Sequence, residues 1–510
     1  MLCAVALVGA ACSGDDEGGD VTVEDTAPST TEVDAAPRLG PPSREDATVP
    51  DVAGPIESGA GSVVLGPPGF DLTTVGYTEE EFFLTGLASS YTSDEPLSED
   101  GRWDVSTDGS ADYTTRIVVR RPADAGAFDG TVLVEWLNVS GGLDASPDWS
   151  YTHNEIIRSG SAWVGVSAQR VGIEGGGNSL GAALALKNAD PERYAPLQHP
   201  GDDFSYDIFT QAGAAVWFAA DQVMGGFEPE MVLAAGESQS AFRLTTYVDA
   251  LALSADMYDG YLVHSRAAAG APLSAEVEPP RPTLSRTDLE VPVLVLSAET
   301  DLVGDRLAYA EARQPDSEWF AGWEMAGTAH ADAYNLGIGD SDDGSGNGDD
   351  ALFAAMIDPP KSLYFDIISC DRPINAGPHT YVARTALASL ATWARSGTAP
   401  PPMPQLELDE SGNDVVRDAD GNATTGIRTP QVDVPIAALS GLGQSDGSFC
   451  SLFGTTVPFS AEQLAERYPD HTAFVAEWNR SVDTAVAAGV LLGADAEQLR
   501  RVALESSIRR

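Results

Sequence analysis

Met231-Val232-Leu233-Ala234-Ala235-Gly236-Glu237-Ser238-Gln239-Ser240-Ala241 joins an apolar run to an amphipathic stretch through a turn of small residues. The run Met231–Ala235 is short and uninterrupted, the pattern of a strand covered on both faces. Residues Ala241 to Leu253 carry helix periodicity. Small residues at Gly236 and Ser240 let a strand-to-helix turn close tightly, with the Ser238 hydroxyl at its tip. A serine hydroxyl is a poor nucleophile until a base takes its proton and a third group holds the base. The pentapeptide by itself is weak evidence, because Gly177-Asn178-Ser179-Leu180-Gly181 and Gly443-Gln444-Ser445-Asp446-Gly447 fit Gly-x-Ser-x-Gly better. Neither has the surroundings: glycine-rich Val171–Gly177 precedes the first, and no strand enters or helix leaves the second. Both read as loops.

Outward from Ser238, buried-strand patterns alternate with helical ones. Strands are predicted at Phe82–Leu87, Tyr113–Arg120, Thr131–Leu137, Ala162–Ala168, Gly260–His264, Val291–Leu296 and Glu318–Met325. Helices are predicted at Ser150–Ser159 and Tyr206–Ala220. This alternation predicts an α/β fold with a mostly parallel central sheet and helices on both faces. Function in such a sheet gathers at the C-terminal ends of the strands. The polar, glycine-rich stretch from Arg170 to Asp202 reads as a lid or rim over the site. From about residue 365 a C-terminal extension begins. It holds a helix over Thr380–Ser396, a hairpin over Leu406–Ile427 turning at Asp420-Gly421-Asn422, and two closing helices. Capping-box pairs Ser460/Gln463 and Asp495/Gln498 open those two. Asp340 to Asp350 fails the EF-hand register, with Gly344 at the fifth position, and reads as a mobile acidic surface loop.

Two candidates complete the chemistry of Ser238. In Ser297-Ala298-Glu299-Thr300-Asp301, Asp301 lies in the loop after a strand, where a triad acid belongs; Glu299, two residues away, could do the same work. A second strand leads into Gly327-Thr328-Ala329-His330, so the order is Ser238…Asp301…His330. His264 lies within a strand and reads as a packed core residue. His153, His199, His379 and His471 lack a strand leading into a small-residue loop. An oxyanion needs backbone N–H donors. Gln239 at the helix start supplies one, and the turn Asn138–Gly141 the other, through Val139. No metal or organic cofactor is implied.

Composition restricts location and partners. The net charge of −50 argues against nucleic acid or an anionic membrane surface as partner. Four cysteines without CxxC or Cys/His spacing make neither a disulfide scaffold nor a zinc site. Leu2 to Ala11 is about half of the roughly 20 residues that span a bilayer, and with Gly9-Ala10-Ala11-Cys12 it is similar to a bacterial lipoprotein signal. Residues 1–12 are thus expected to be a signal, with Cys12 lipidated; an ordinary cleaved secretion signal and a misread cytosolic N-terminus are the alternatives. Residues 13–61 read as a disordered acidic tether and 62–510 as the catalytic domain. The expected location is extracytoplasmic, with the membrane met only through the lipid. In an exported protein Cys370 and Cys450 are the natural disulfide pair; two buried free thiols are the alternative. Repeats and heptads are absent, which leaves the oligomeric state open.

From about Phe82 to the C-terminus the chain resembles the alpha/beta hydrolase domain-containing proteins. The stretches that carry the likeness are Val134-Glu135-Trp136-Leu137-Asn138-Val139-Ser140, Gly236-Glu237-Ser238-Gln239-Ser240-Ala241, Glu299-Thr300-Asp301, Arg428-Thr429-Pro430 and Val432-Asp433-Val434-Pro435. The resemblance implies an α/β-hydrolase fold, a serine hydrolase, and a C-terminal extension belonging to one catalytic unit. It brings no substrate with it. The residues are read as those of a hydrolase of small-molecule carboxylic esters. An amidase, peptidase or acyltransferase on the same fold, or a non-catalytic cell-surface binding lipoprotein, are the alternatives.

Overall fold

In the computed structural model, residues 42, 47–59, 63–65, 69–176, 182–304, 306–363, 368–445 and 449–510 are described. The signal with Cys12, most of the tether, and Ser179 with its flanking glycines lie outside them.

The apolar runs form strands β1 (Asp51–Ala53), β2 (Tyr77–Thr92), β3 (Ser106–Pro122), β4 (Thr131–Trp136), β5 (Ala162–Val166), β6 (Met231–Glu237), β7 (Gly260–His264), β8 (Val293–Ala298) and β9 (Phe320–Met325). They make one nine-stranded sheet in the order β1-β2-β3-β5-β4-β6-β7-β8-β9. From β5 through β9 every pairing is parallel, while β1, β2 and β3 form an antiparallel edge. The longer helices are α1 (Pro147–Ser159), α2 (Ser205–Phe218), α3 (Gln239–Ala250), α4 (Asn347–Ile357), α5 (His379–Ser396), α6 (Ala461–Arg467), α7 (His471–Ala487) and α8 (Gly493–Glu505).

The period of two along each strand explains why the runs are apolar throughout. Leu133, Leu233, Leu262 and Leu294 point to one face, where they pack with Tyr151 and Ile156 of α1 and Leu387 and Leu390 of α5. Val132, Val232, Val263 and Val295 point to the other, against Ile208 and Phe209 of α2 and Leu244 and Val248 of α3. Each such side chain contributes about 1.5–3 kcal/mol by leaving water, and one polar substitution on either face would weaken the packing of the helices on that face. Proline at its first position and left-handed Gly160 after Ser159 bound α1; left-handed Gly397 stops α5. Among the described residues no helix is long and apolar enough to cross a membrane.

The structure corrects several expectations. The end of the expected tether is ordered: Asp51–Ala53 pairs with Phe83–Thr85 of β2, too short a strand to show a sequence period. Asp340–Asp350 is not a mobile surface loop. Asp342 is buried against Asn154, Tyr334 and Arg384, and Asp349 against Tyr381, partners that local composition cannot reveal. In place of one hairpin, Leu406–Ile427 makes two small turns. Asp409 accepts from the Ser411 and Asn413 N–H groups, and Asp418 from those of Asp420 and Asn422. Three helices close the chain, not two. Ser460 and Gln463 do form a reciprocal cap on α6, but α8 opens at Gly493, and Asp495 is buried against Arg158 and Arg384 instead of capping.

Cys370 and Cys450 are disulfide-bonded, 80 residues apart; on the chain-entropy model such a closure contributes up to about 4–5 kcal/mol. Arg384 of α5 joins Asp342 to Asp495 of α8, all three side chains almost wholly buried. Removing one partner from such a cluster leaves uncompensated charge inside the protein. Arg384→Met is therefore expected to cost about 3–5 kcal/mol in urea unfolding; a loss under about 1 kcal/mol would contradict this role for the cluster.

Candidate active site

The site forms where β6, β8 and β9 end on the same edge of the sheet. Ser238 follows β6 directly and is held at φ 59°, ψ −121°, a conformation costly for a residue with a Cβ. The turn is tight enough that a Cβ on Gly236 would sit 3.2 Å from the Ser240 Cβ and 3.0 Å from its carbonyl oxygen. A side chain at residue 236 would press on the first turn of α3, so glycine there lets Ser240 pack close to the strand. The Ser238 N–H donates to the His264 carbonyl at 2.9 Å, which fixes the strained residue to β7.

His330 lies 2.7 Å through Nε2 from Ser238 Oγ, and its Nδ1–H donates to Asp301 Oδ1 at 2.6 Å. The other Asp301 oxygen accepts the Ala298 N–H at 2.7 Å. Asp301 and His330 are buried while Ser238 is half-buried, so the serine is the least enclosed residue of the three. The three side chains named from sequence thus meet in one chain.

Glu299 has another task. Its carboxylate accepts from the Gly327 and Gly441 N–H groups at 2.6 and 2.9 Å and pairs with Arg417 at 2.9 Å. Burial raises its pKa, and Arg417 opposes that shift. Thr300, between the two acids, accepts the His330 N–H and donates to the Gly441 carbonyl. Three consecutive residues therefore hold the imidazole, its backbone and the C-terminal segment. That segment also grips the imidazole loop from below: Ala331 N–H donates to Leu452 O, Ala333 N–H to Asn375 O, and Asn375 Nδ2 to Gly327 O.

Gln239 is the first residue of α3, where a helix leaves its N–H groups without intrahelical partners. Val139 is buried in the turn after β4. Asn138 pins that turn to the elbow, its side-chain amide donating to the Glu237 carbonyl at 3.0 Å and its Oδ1 accepting the Ser140 N–H. Ser445 is remote in kind, donating to Asp371 on the exposed surface. The stretch from Arg170 to Asp202 touches the site's surroundings at both ends. Gly172 packs on Asp144 beyond the Val139 turn, and Asp202 meets Arg243 of α3.

Sequence reading missed Glu237. Its carboxylate lies 3.7 Å from His330 Nε2. Burial, together with Asp148, Asp301 and Glu135, raises its pKa well above the usual carboxyl range. Its place beside the serine was the only signal. His379 was also passed over, because it starts a helix instead of following a strand. Among the described residues no cluster of His, Cys, Asp and Glu could hold a metal ion.

A mostly parallel sheet with a strained serine between strand and helix, and an acid and a histidine after later strands, defines the α/β-hydrolase class of fold. A family model described as alpha/beta hydrolase domain matches residues 52–501, and the chain belongs to that family. No curated protein matches the chain in sequence. Among solved structures it is similar to a serine hydrolase without lid from Xanthomonas campestris, at 13% identity, covering 42% of this chain and 80% of that one, with a TM-score of 0.26. It is also similar to a glucuronoyl esterase from Solibacter usitatus, at 10% identity, covering 54% and 74%, with a TM-score of 0.25.

Glu299→Ala would leave two buried N–H groups and Arg417 without their common acceptor. At about 1–3 kcal/mol per unsatisfied group, the thermal midpoint is expected to fall by several degrees. An unchanged midpoint would show that Glu299 does not hold these loops.

Proposed function

We propose that the protein is an exported serine hydrolase that cleaves carboxylic esters through an acyl-enzyme. The observation that carries this reading is the unbroken chain from Ser238 Oγ through His330 to Asp301. His330 Nε2 takes the hydroxyl proton as Ser238 Oγ attacks the acyl carbon, and Asp301 stabilises the imidazolium that forms. The N–H groups of Gln239 and Val139 receive the oxyanion, where fixed donors are worth most because they need no reorganisation. His330 then protonates the leaving alcohol. In the second half it activates water, which releases the acid and restores Ser238. The described parts of the stretch from Arg170 to Asp202, residues 170–176 and 182–202, meet Asp144 and Arg243 beside the site and select the acyl or alcohol group. Cys12 carries the lipid that anchors the protein.

A fluorophosphonate probe tests the nucleophile. Labelling is expected in the intact protein, in Ser179→Ala and in Ser445→Ala, and is expected to vanish in Ser238→Ala. With p-nitrophenyl esters, Ser238→Ala and His330→Ala are each expected to lower kcat by roughly 10^4–10^6-fold, and the matching anilides are expected to turn over far more slowly than the esters. Labelling that survives in folded Ser238→Ala would overturn the assignment. Faster cleavage of anilides would turn the reading toward an amidase.

A further inference from the structure

Next to His330 lies a pair of further imidazoles, His264 and His379, that take no part in this reaction. His264 ends β7, and its carbonyl is the acceptor for the Ser238 N–H. Its ring Nδ1 is 2.8 Å from Asp148 Oδ1, and its Nε2 is 2.6 Å from Nε2 of His379. His379 Nδ1 in turn is 2.9 Å from the carbonyl oxygen of Ala329, the residue before His330. All three side chains are fully buried. The Tyr151 ring stacks on His379 with centroids 4.1 Å apart.

Counting protons gives this chain a direction. A carbonyl oxygen only accepts, so His379 Nδ1 carries a hydrogen, and in the neutral ring Nε2 is then an acceptor. The 2.6 Å contact therefore places a hydrogen on His264 Nε2. With that ring also neutral, its Nδ1 accepts, and the contact with Asp148 needs one proton from the carboxyl group. Burial favours this uncharged arrangement. It pushes Asp148 up to about 8 and His264 down to about 3, and it holds His379 well below the usual imidazole value. Other ionisable groups face the chain. Glu135 is occupied by the N–H groups of Asp148 and Trp149 and by Trp163 Nε1. Asp301 and His330 act on both rings, and Asp148 acts on Glu237. Every donor thus points from the start of α1 toward the His330 loop.

We propose that His264 and His379 are positioning residues for the Ser238–His330 pair: a neutral, one-directional hydrogen-bond chain from Asp148 that holds the Ala329 carbonyl, and with it the His330 ring, against the serine elbow. The proposal rests on the reading of Ser238 and His330 as nucleophile and base. Apolar side chains could fill the same volume without the desolvation that two buried imidazoles suffer. What they could not supply is a donor to Ala329 and a fixed distance to β7. A displacement of about 1 Å in a reacting group can cost about 100-fold in rate.

The test uses the full chain with p-nitrophenyl acetate, fluorophosphonate labelling, and nitrogen-15 NMR of labelled histidines. In His379→Asn the amide Nδ2 falls at the ring Nδ1 position and can still donate to Ala329. In His379→Gln the amide reaches only the ring Nε2 position, and His379→Ala has neither. The Gln and Ala variants are expected to lose about 10–100-fold in kcat with KM within about twofold, and the Asn variant to recover most of that loss. In the intact protein, His379 is expected as the Nδ1–H tautomer and His264 as the Nε2–H tautomer, neither titrating from about pH 5 to 7. Equal kcat in the three folded variants, or either ring titrating near its ordinary value, would overturn the proposal. If the variants do not fold, the tautomers and titrations of the intact protein decide it. Intact protein that takes no fluorophosphonate at Ser238 would remove the underlying reading, whereas labelled protein with indifferent His379 variants would remove the positioning chain alone.

Discussion

The short chain of hydrogen bonds from Ser238 through His330 to Asp301 joins the ends of β6, β8 and the loop after β9, and much of the molecule serves to keep those ends in register. Parallel strands covered on both faces give a rigid edge, because each strand is fixed by packing above and below as well as by its neighbours. Onto that edge the sequence places one residue in a strained conformation and secures it with a backbone bond to β7. The strain at Ser238 is held by the strand on one side and the helix on the other. A looser scaffold would relax it and withdraw the hydroxyl.

The C-terminal extension belongs to the same machinery. Glu299, Thr300, Asn375 and Leu452 bind the His330 loop from several directions, and the disulfide fixes the segment that contributes two of them. The buried Arg384 cluster then anchors the terminal helices to α1 and α5. The extension thus holds the imidazole loop by hydrogen bonds and packs into the same core as the α1–α5 face of the sheet.

Much of this was legible in the amino-acid sequence. The apolar runs located the parallel strands because burial on both faces leaves no alternation, and the small residues around Ser238 marked the elbow. The order of acid and histidine followed from the strands that lead into them. What stayed hidden depends on distant partners. Asp301 and Glu299 are chemically interchangeable on paper; only the fold shows that one faces an imidazole and the other three donors from later in the chain. Asp342 and Asp349 look solvated until Arg384 and Tyr381 are brought beside them. The His264–His379 pair draws its members from a strand and a helix start more than a hundred residues apart, with no local signature at either. The three-residue strand Asp51–Ala53 is too short for any period to register.

Mass spectrometry of protein quenched during turnover of a p-nitrophenyl ester shows whether the acyl group passes through Ser238. A fraction of the protein is expected to carry the mass of one acyl group, mapped to the peptide that contains Ser238. Turnover with the acyl group on a different residue, or turnover through a route that never places it on the protein, would contradict an acyl-enzyme at Ser238.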